Sequence, residues 1–172
     1  MNSLRCITAA STCCLQVTEI DYFSIMLDDR YNVDASTDLL TFEFVSIGPK
    51  GDVRKVVRYT EINIKGFYNL GFGDKDLITG YISDLTVTNN NDSQKVLATV
   101  ASTLYAFTTY YPDATIIATG STEARTRLYR MGITNNLTDI EKHFIIFGLT
   151  ETTWEPFRKN FSYGAFLVRR KT

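Results

Sequence analysis

One tryptophan, one histidine and three prolines stand among 172 residues, and each scarcity removes a class of explanation. With His143 alone, neither a Ser-His-Asp nor a Cys-His arrangement can be built from spacing, and at a strand start the residue reads as structural. No His, Cys and carboxylate cluster has the ligand spacing of a metal site. Cys6, Cys13 and Cys14 are the only cysteines. Crowded at one end, they form neither a disulfide framework nor a metal cage, which fits a reduced, cytoplasmic setting. Eighteen basic side chains against 19 acidic ones leave a formal net charge of -1, so no global field draws the chain to nucleic acid or to an anionic membrane. No apolar run approaches the roughly 20 residues of a bilayer span.

What is abundant is aromatic. Eleven Phe and ten Tyr favour sheet surfaces, where flat rings pack well on the pleat. TFEFVSI at 41–47 alternates, GPKGD supplies turn chemistry, and VRKVVRYTEI resumes the strand, which predicts a hairpin. FYNLGFG at 67–73, the turn DKDLITG and YISDLTV at 81–87 predict a second. Asp74, Asp76 and Asp84 surround that turn, where aspartate suits the backbone geometry. After three asparagines, 89–91, expected to build a turn, Val96, Leu97, Val100, Ala101, Leu104 and Phe107 recur at helical spacing. Asp92 or Ser93 can cap this helix, and Pro112 follows its end.

ATIIAT then reads as a buried strand, and a second helix is predicted from Ser121 or Thr122 to Gly132. HFIIFGL at 143–149 is a further strand, and YGAFLVRR closes the chain. The order predicts an α+β (α/β-like) protein: a mixed, mainly antiparallel sheet of about six to seven strands with two main helices. Residues 39–172 form one domain. Residues 1–38 are expected to be a partly ordered leader, since RCITAASTCCL makes a poor signal-peptide core.

The stretch ATGSTEARTRLYRMGI at 118–133 carries the candidate site. Gly120, Ser121 and Thr122 mark where a buried strand hands over to a helix, and amides at such a junction can hold an anion. Arg125 and Arg127 stand close by. The competing reading is a helix cap with surface arginines. At about 100° per residue, Arg125, Arg127 and Arg130 cannot share one helix face.

YISDLTV, the 93–111 helix, ATIIAT and ARTRLYRMGI stand in an order that resembles the GCN5-related N-acetyltransferase fold, over roughly two-thirds of the chain. The resemblance implies acetyl-CoA as cofactor, acyl transfer as the reaction if the protein is an enzyme, and Tyr129 as the acid protonating the departing thiol. The family's glycine-bearing loop is replaced here by NNNDSQKV. More closely, GPKG, YNLGFGD, KVLATVASTLYAF, ATGSTEARTRLYRMGI and WEPF resemble an uncharacterised family of small bacterial proteins. Two functions follow as expectations: binding of acyl-CoA or another small anionic ligand near Gly120, or a non-catalytic interaction module. The latter would be a regulatory, toxin–antitoxin or phage-defence component meeting a protein, or less readily RNA.

Overall fold

The computed structural model describes residues 29–83 and 88–171. The three cysteines, Asp84 and the end of the YISDLTV strand lie outside the described residues. In chain order the elements are β1 (Asp34–Ala35), β2 (Thr41–Gly48), β3 (Gly51–Glu61), β4 (Phe67–Lys75), β5 (Ile82–Ser83), α1 (Ser93–Tyr110), β6 (Thr115–Ala118), α2 (Glu123–Asn135), α3 (Leu137–His143), β7 (Phe144–Leu149), β8 (Trp154–Pro156) and β9 (Ala165–Arg170). One mixed sheet runs β1-β2-β3-β4-β6-β9-β7-β8, with β5 pairing β4. β4 and β6 are parallel, and the other paired strands are antiparallel. The class is α+β.

Among the described residues there are nine strands and three helices, more than the six to seven strands and two helices expected. The additional strands β1 and β8 span only two or three residues, too few to display alternation, while the YISDLTV strand is represented by β5 at Ile82–Ser83. α3 is seven residues long, under two turns, and gives no readable helical period. It places His143 at a helix C-terminus instead of a strand start. α2 also runs past Gly132 to Asn135. A Cβ at Gly132 would stand 3.1 Å from a Leu97 methyl, so this glycine serves the approach of α2 to α1. The helix is closed instead by Asn136, whose Nδ2 donates to the Gly132 carbonyl at 2.9 Å.

Register sorts the side chains. Phe42, Phe44, Val57, Tyr59, Leu70 and Ile116 face α1 and meet its Val96, Val100 and Phe107. Tyr59 stacks on Phe107 with centroids 4.0 Å apart and planes 3° from parallel, while Phe42 meets Tyr59 edge-on. A second cluster joins Phe144, Ile146, Phe166 and Val168 to Tyr129, Phe157 and Tyr163. The buried threonines of α1 are satisfied within the helix: Thr99 and Thr103 donate to the carbonyls of Lys95 and Val100, so polar positions fit on its inner face.

Burial pushes the Tyr59 phenol well above its ordinary value, while the Thr103 hydroxyl 3.0 Å away acts in the opposite direction. The stability this residue contributes is complete below the unfolded phenol pKa of about 10 and is lost as pH rises beyond it. Melting temperature is therefore expected to fall more steeply between about pH 9 and 11 in the wild type than in Tyr59→Phe. Tyr31, Tyr68 and Tyr111 are also raised by burial, so the variant keeps part of the slope. Thermal melts across that range with equal slopes would contradict the assignment.

Candidate functional site

β6 ends at Ala118, and the strand-to-helix junction that follows is built by short polar residues. Thr122 is the N-cap of α2: its Oγ1 accepts from the Arg125 amide at 3.3 Å. Gly120 lies against the first turn, where a Cβ would come within 2.3 Å of the Thr126 amide nitrogen. Ser121 Oγ accepts from Arg125 Nη1 at 3.0 Å. These three residues fasten the start of the helix, and the open space lies beside them.

That space is a cleft of about 300 Å³ beneath the N-terminal turns of α1 and α2, with Lys55, Phe72, Asp74, Asp92, Arg125 and Tyr129 on its walls. Of the candidate site residues expected from sequence, Arg125 and Tyr129 line it, at 7% and 8% exposure, whereas Gly120, Ser121 and Thr122 do not. Arg125 Nη2 donates to the Ser83 carbonyl at 3.5 Å. Arg127 is exposed and borders shallow outer depressions with Met131. Arg130 Nη1 donates to Phe161 O and Ser162 Oγ at 3.2 and 3.1 Å. The arginines thus have separate tasks, and α2 presents no stripe of them.

Two charged residues at the cleft were not read from sequence as a pair. Lys55 and Asp74 are cross-strand partners on β3 and β4, both buried and joined as an ion pair. Thr88 donates to the second Asp74 oxygen through its hydroxyl at 2.7 Å and its amide at 3.3 Å. Asp74 therefore crosses strands, while Asp76 does form the turn: the Ile78 and Thr79 amides donate to its Oδ1 and hold its carboxyl below the usual range. A signal existed. Lys55 falls on the inward phase of Val57 and Tyr59, and Asp74 on that of Leu70 and Phe72, so both charges stand where the alternation demands apolar residues.

Asp92 occupies the N-cap of α1 without a capping bond. Its Oδ2 accepts instead from Ser46 Oγ at 2.5 Å and Tyr31 Oη at 2.8 Å, two charge-assisted hydrogen bonds. No acidic residue lies in the first turn of α1. The positive end of this 18-residue helix meets the cleft beside Ser93, with the Asp92 carboxylate, engaged by Ser46 and Tyr31, on the same wall.

The asparagine turn is the hinge pin of this region. Asn91 takes a left-handed φ of 60°, and Asn89 Oδ1 accepts from its amide at 3.3 Å. Asn90, 2% exposed, inserts under the β2–β3 turn, its Nδ2 donating to Gly51 O at 2.9 Å and Ser46 Oγ at 3.1 Å. Its Oδ1 accepts from the Lys50 amide at 2.9 Å.

The fold and cleft define an α+β protein with a small-ligand-sized polar recess between two helix N-termini. The chain belongs to DUF6934, a family of unknown function whose model matches residues 27–171. Comparison with curated proteins and with solved structures yields no match. Among the described residues, no helix is long and apolar enough to cross a membrane, and no group of three or more His, Cys, Asp or Glu could hold a metal ion.

Proposed function

We propose that the protein binds a small anionic ligand, of which an acyl-CoA is one form, in the cleft between the N-terminus of α1 and Arg125. The observation that carries this reading is a buried guanidinium and a buried tyrosine on the same recess as a helix N-terminus with no side-chain cap. A carboxylate or phosphate there gains charge-assisted hydrogen bonds from Arg125 and the α1 amides. Tyr129 stands as proton donor if the bound group reacts.

The acetyltransferase-like reading draws support from the order of elements and from parallel β4 and β6, whose pairing ends at Leu70 and Ala118 while β4 continues. Two features set its limits. The continuing edge of β4 is paired with β5 at Asp74 and Lys75, so an extended pantetheine arm could not add as a strand at those two residues. A Cβ at Gly73 would already meet Ile82 at 2.6 Å. The ligand would be held by side chains and helix amides instead of by a strand edge.

Isothermal titration with acetyl-CoA, coenzyme A and inorganic phosphate tests the reading. Saturable binding of at least one is expected, weakened about tenfold or more in Arg125→Gln through loss of a charged donor. Arg127→Gln, on the outer face, should bind as the wild type does. Absence of heat at millimolar ligand, or equal loss in both variants, would remove it.

One observation favours the interaction-module reading as an alternative. The β4–β5 turn exposes Leu77 at 78%, Ile78 at 96% and Tyr81 at 68%, an apolar tip of the kind used in protein contacts. A stoichiometric partner surviving gel filtration from the native host, and lost in Leu77→Ser/Ile78→Ser, would support it; a partner retained by that variant would not.

A further inference from the structure

A second cavity lies on the other side of Tyr129 and has the opposite chemistry. It measures about 160 Å³ and is roofed by Leu97 and Leu104 of α1 on one flank and by Ile133 of α2 and Ile140 of α3 on the other. Its floor is the sheet, through Ile116, Ile146, Phe166 and Val168. Among the described residues no lysine or arginine lines it, and the polar side chains at its rim are already engaged: Asn136 Nδ2 with the Gly132 carbonyl, and Asp139 Oδ1 with Lys142 at 2.8 Å. Interiors normally close such spaces, because every unfilled contact forfeits dispersion energy. Here closure is prevented by the opposed helices themselves. Ala98 and Ala101 on α1 are too short to span the gap, and Gly132 lets Leu97 sit against the α2 backbone without filling it.

We propose that this cavity is a second binding site, distinct from the anionic cleft, for a neutral ligand whose buried part is about the size of one six-membered ring. The volume is comparable to that of an enclosed apolar cavity of about 150 Å³ lined by Leu, Ile and Phe, which takes up benzene, although this one is partly open to solvent. The absence of a cation among the described residues of the walls and the presence of Asp139 at the rim set the charge selectivity, because a carboxylate entering here would be desolvated without compensation. Burial of the ring removes apolar wall and apolar ligand surface from water together, which supplies the affinity.

The experiment is titration of the full chain with toluene, indole and benzoate by thermal shift and calorimetry. Toluene and indole are expected to bind saturably and to raise the melting temperature, and benzoate to bind at least tenfold more weakly than toluene. Ala101→Leu, which places three further carbons in the space, should lose toluene binding tenfold or more while keeping the wild-type far-UV spectrum. Should that variant fail to fold, intermolecular NOEs from toluene to the methyls of Leu97, Leu104 and Ile133 in the wild type give the same answer. Absence of saturable toluene binding, benzoate as tight as toluene, undiminished binding by folded Ala101→Leu, or NOEs to other residues would each overturn the site. The Arg125→Gln variant, which tests the cleft, is expected to leave toluene affinity unchanged, and a tenfold loss there would also count against two separate sites.

Discussion

Asp74→Ala is expected to lower the free energy of unfolding by about 3–5 kcal/mol, because it strands a buried ammonium without its counter-charge. Lys55 is 5% exposed and Asp74 8%, so water cannot readily take over the lost partner. The effect should exceed that of removing any surface pair. Lys95 and Asp29, for example, sit 3.1 Å apart with Asp29 largely in solvent, and such pairs contribute about 0–1 kcal/mol. A diagnostic follows from the same logic. The Lys55→Met/Asp74→Leu double variant removes both charges and should recover most of the loss, since buried ion pairs often exchange for packed hydrophobic residues at little cost. The Thr88 hydroxyl and amide, which donate to Asp74, account for the part not recovered. Urea unfolding followed by circular dichroism would measure both. A double variant as damaged as the single one would show that the cost lies in packing and not in the stranded charge. A stable double variant that no longer bound the anionic ligand would mean that the pair is kept for the cleft.

The second large effect is predicted at Gly48. A Cβ there would stand 2.1 Å from the Asn90 carbonyl oxygen and 2.7 Å from its side-chain Cγ, and Asn90 is pinned by three partners in the β2–β3 turn. Neither can yield without the other. Gly48→Ala should therefore cost about 3 kcal/mol, at the upper end of overpacking penalties, with lost hydrogen bonds to Gly51 and Lys50 included. The opposite glycine of the same turn supplies the control. Gly51 has a φ of 86° with open space around it, so Gly51→Ala meets only backbone strain of about 1–2 kcal/mol. If the two variants melted together, or Gly48→Ala were the milder, the insertion of Asn90 would not be what holds this corner.

These two positions also mark how far the sequence could be read. The turn chemistry of GPKGD located β3, and alternation in TFEFVSI located β2 before it, because one face of that strand meets α1 and the other does not. The helical spacing of Val96, Val100 and Phe107 located α1 for the same reason. Gly132 illustrates the limit. Its position near the end of a helical pattern suggests a C-cap, yet its lack of a side chain is used against Leu97 of another helix, a contact with no local signature. Asp92 is similar: its type predicts a cap, and the hydroxyls of Tyr31 and Ser46, 61 and 46 residues away, claim it instead.

For the candidate site, the strand-to-helix punctuation pointed to the junction at Gly120–Thr122 and to Arg125, whereas Tyr129 came only from the resemblance in element order; of these, Arg125 and Tyr129 line the cleft. Which arginine turns inward was not legible. Helical geometry separates Arg125 from Arg127 but does not say which face meets β4.

By its own residues the sequence determined an α+β class, the hairpins, the long helix and the place where a strand gives way to an arginine-bearing helix, because each depends on near neighbours and a fixed period. Only the tertiary structure decided that Lys55 would meet Asp74, that Asn90 would thread the β2–β3 turn, and that α1 and α2 would stand apart over two cavities of unlike chemistry. Those outcomes depend on strand register and on the distance between helices, which many residues far apart in the chain set together.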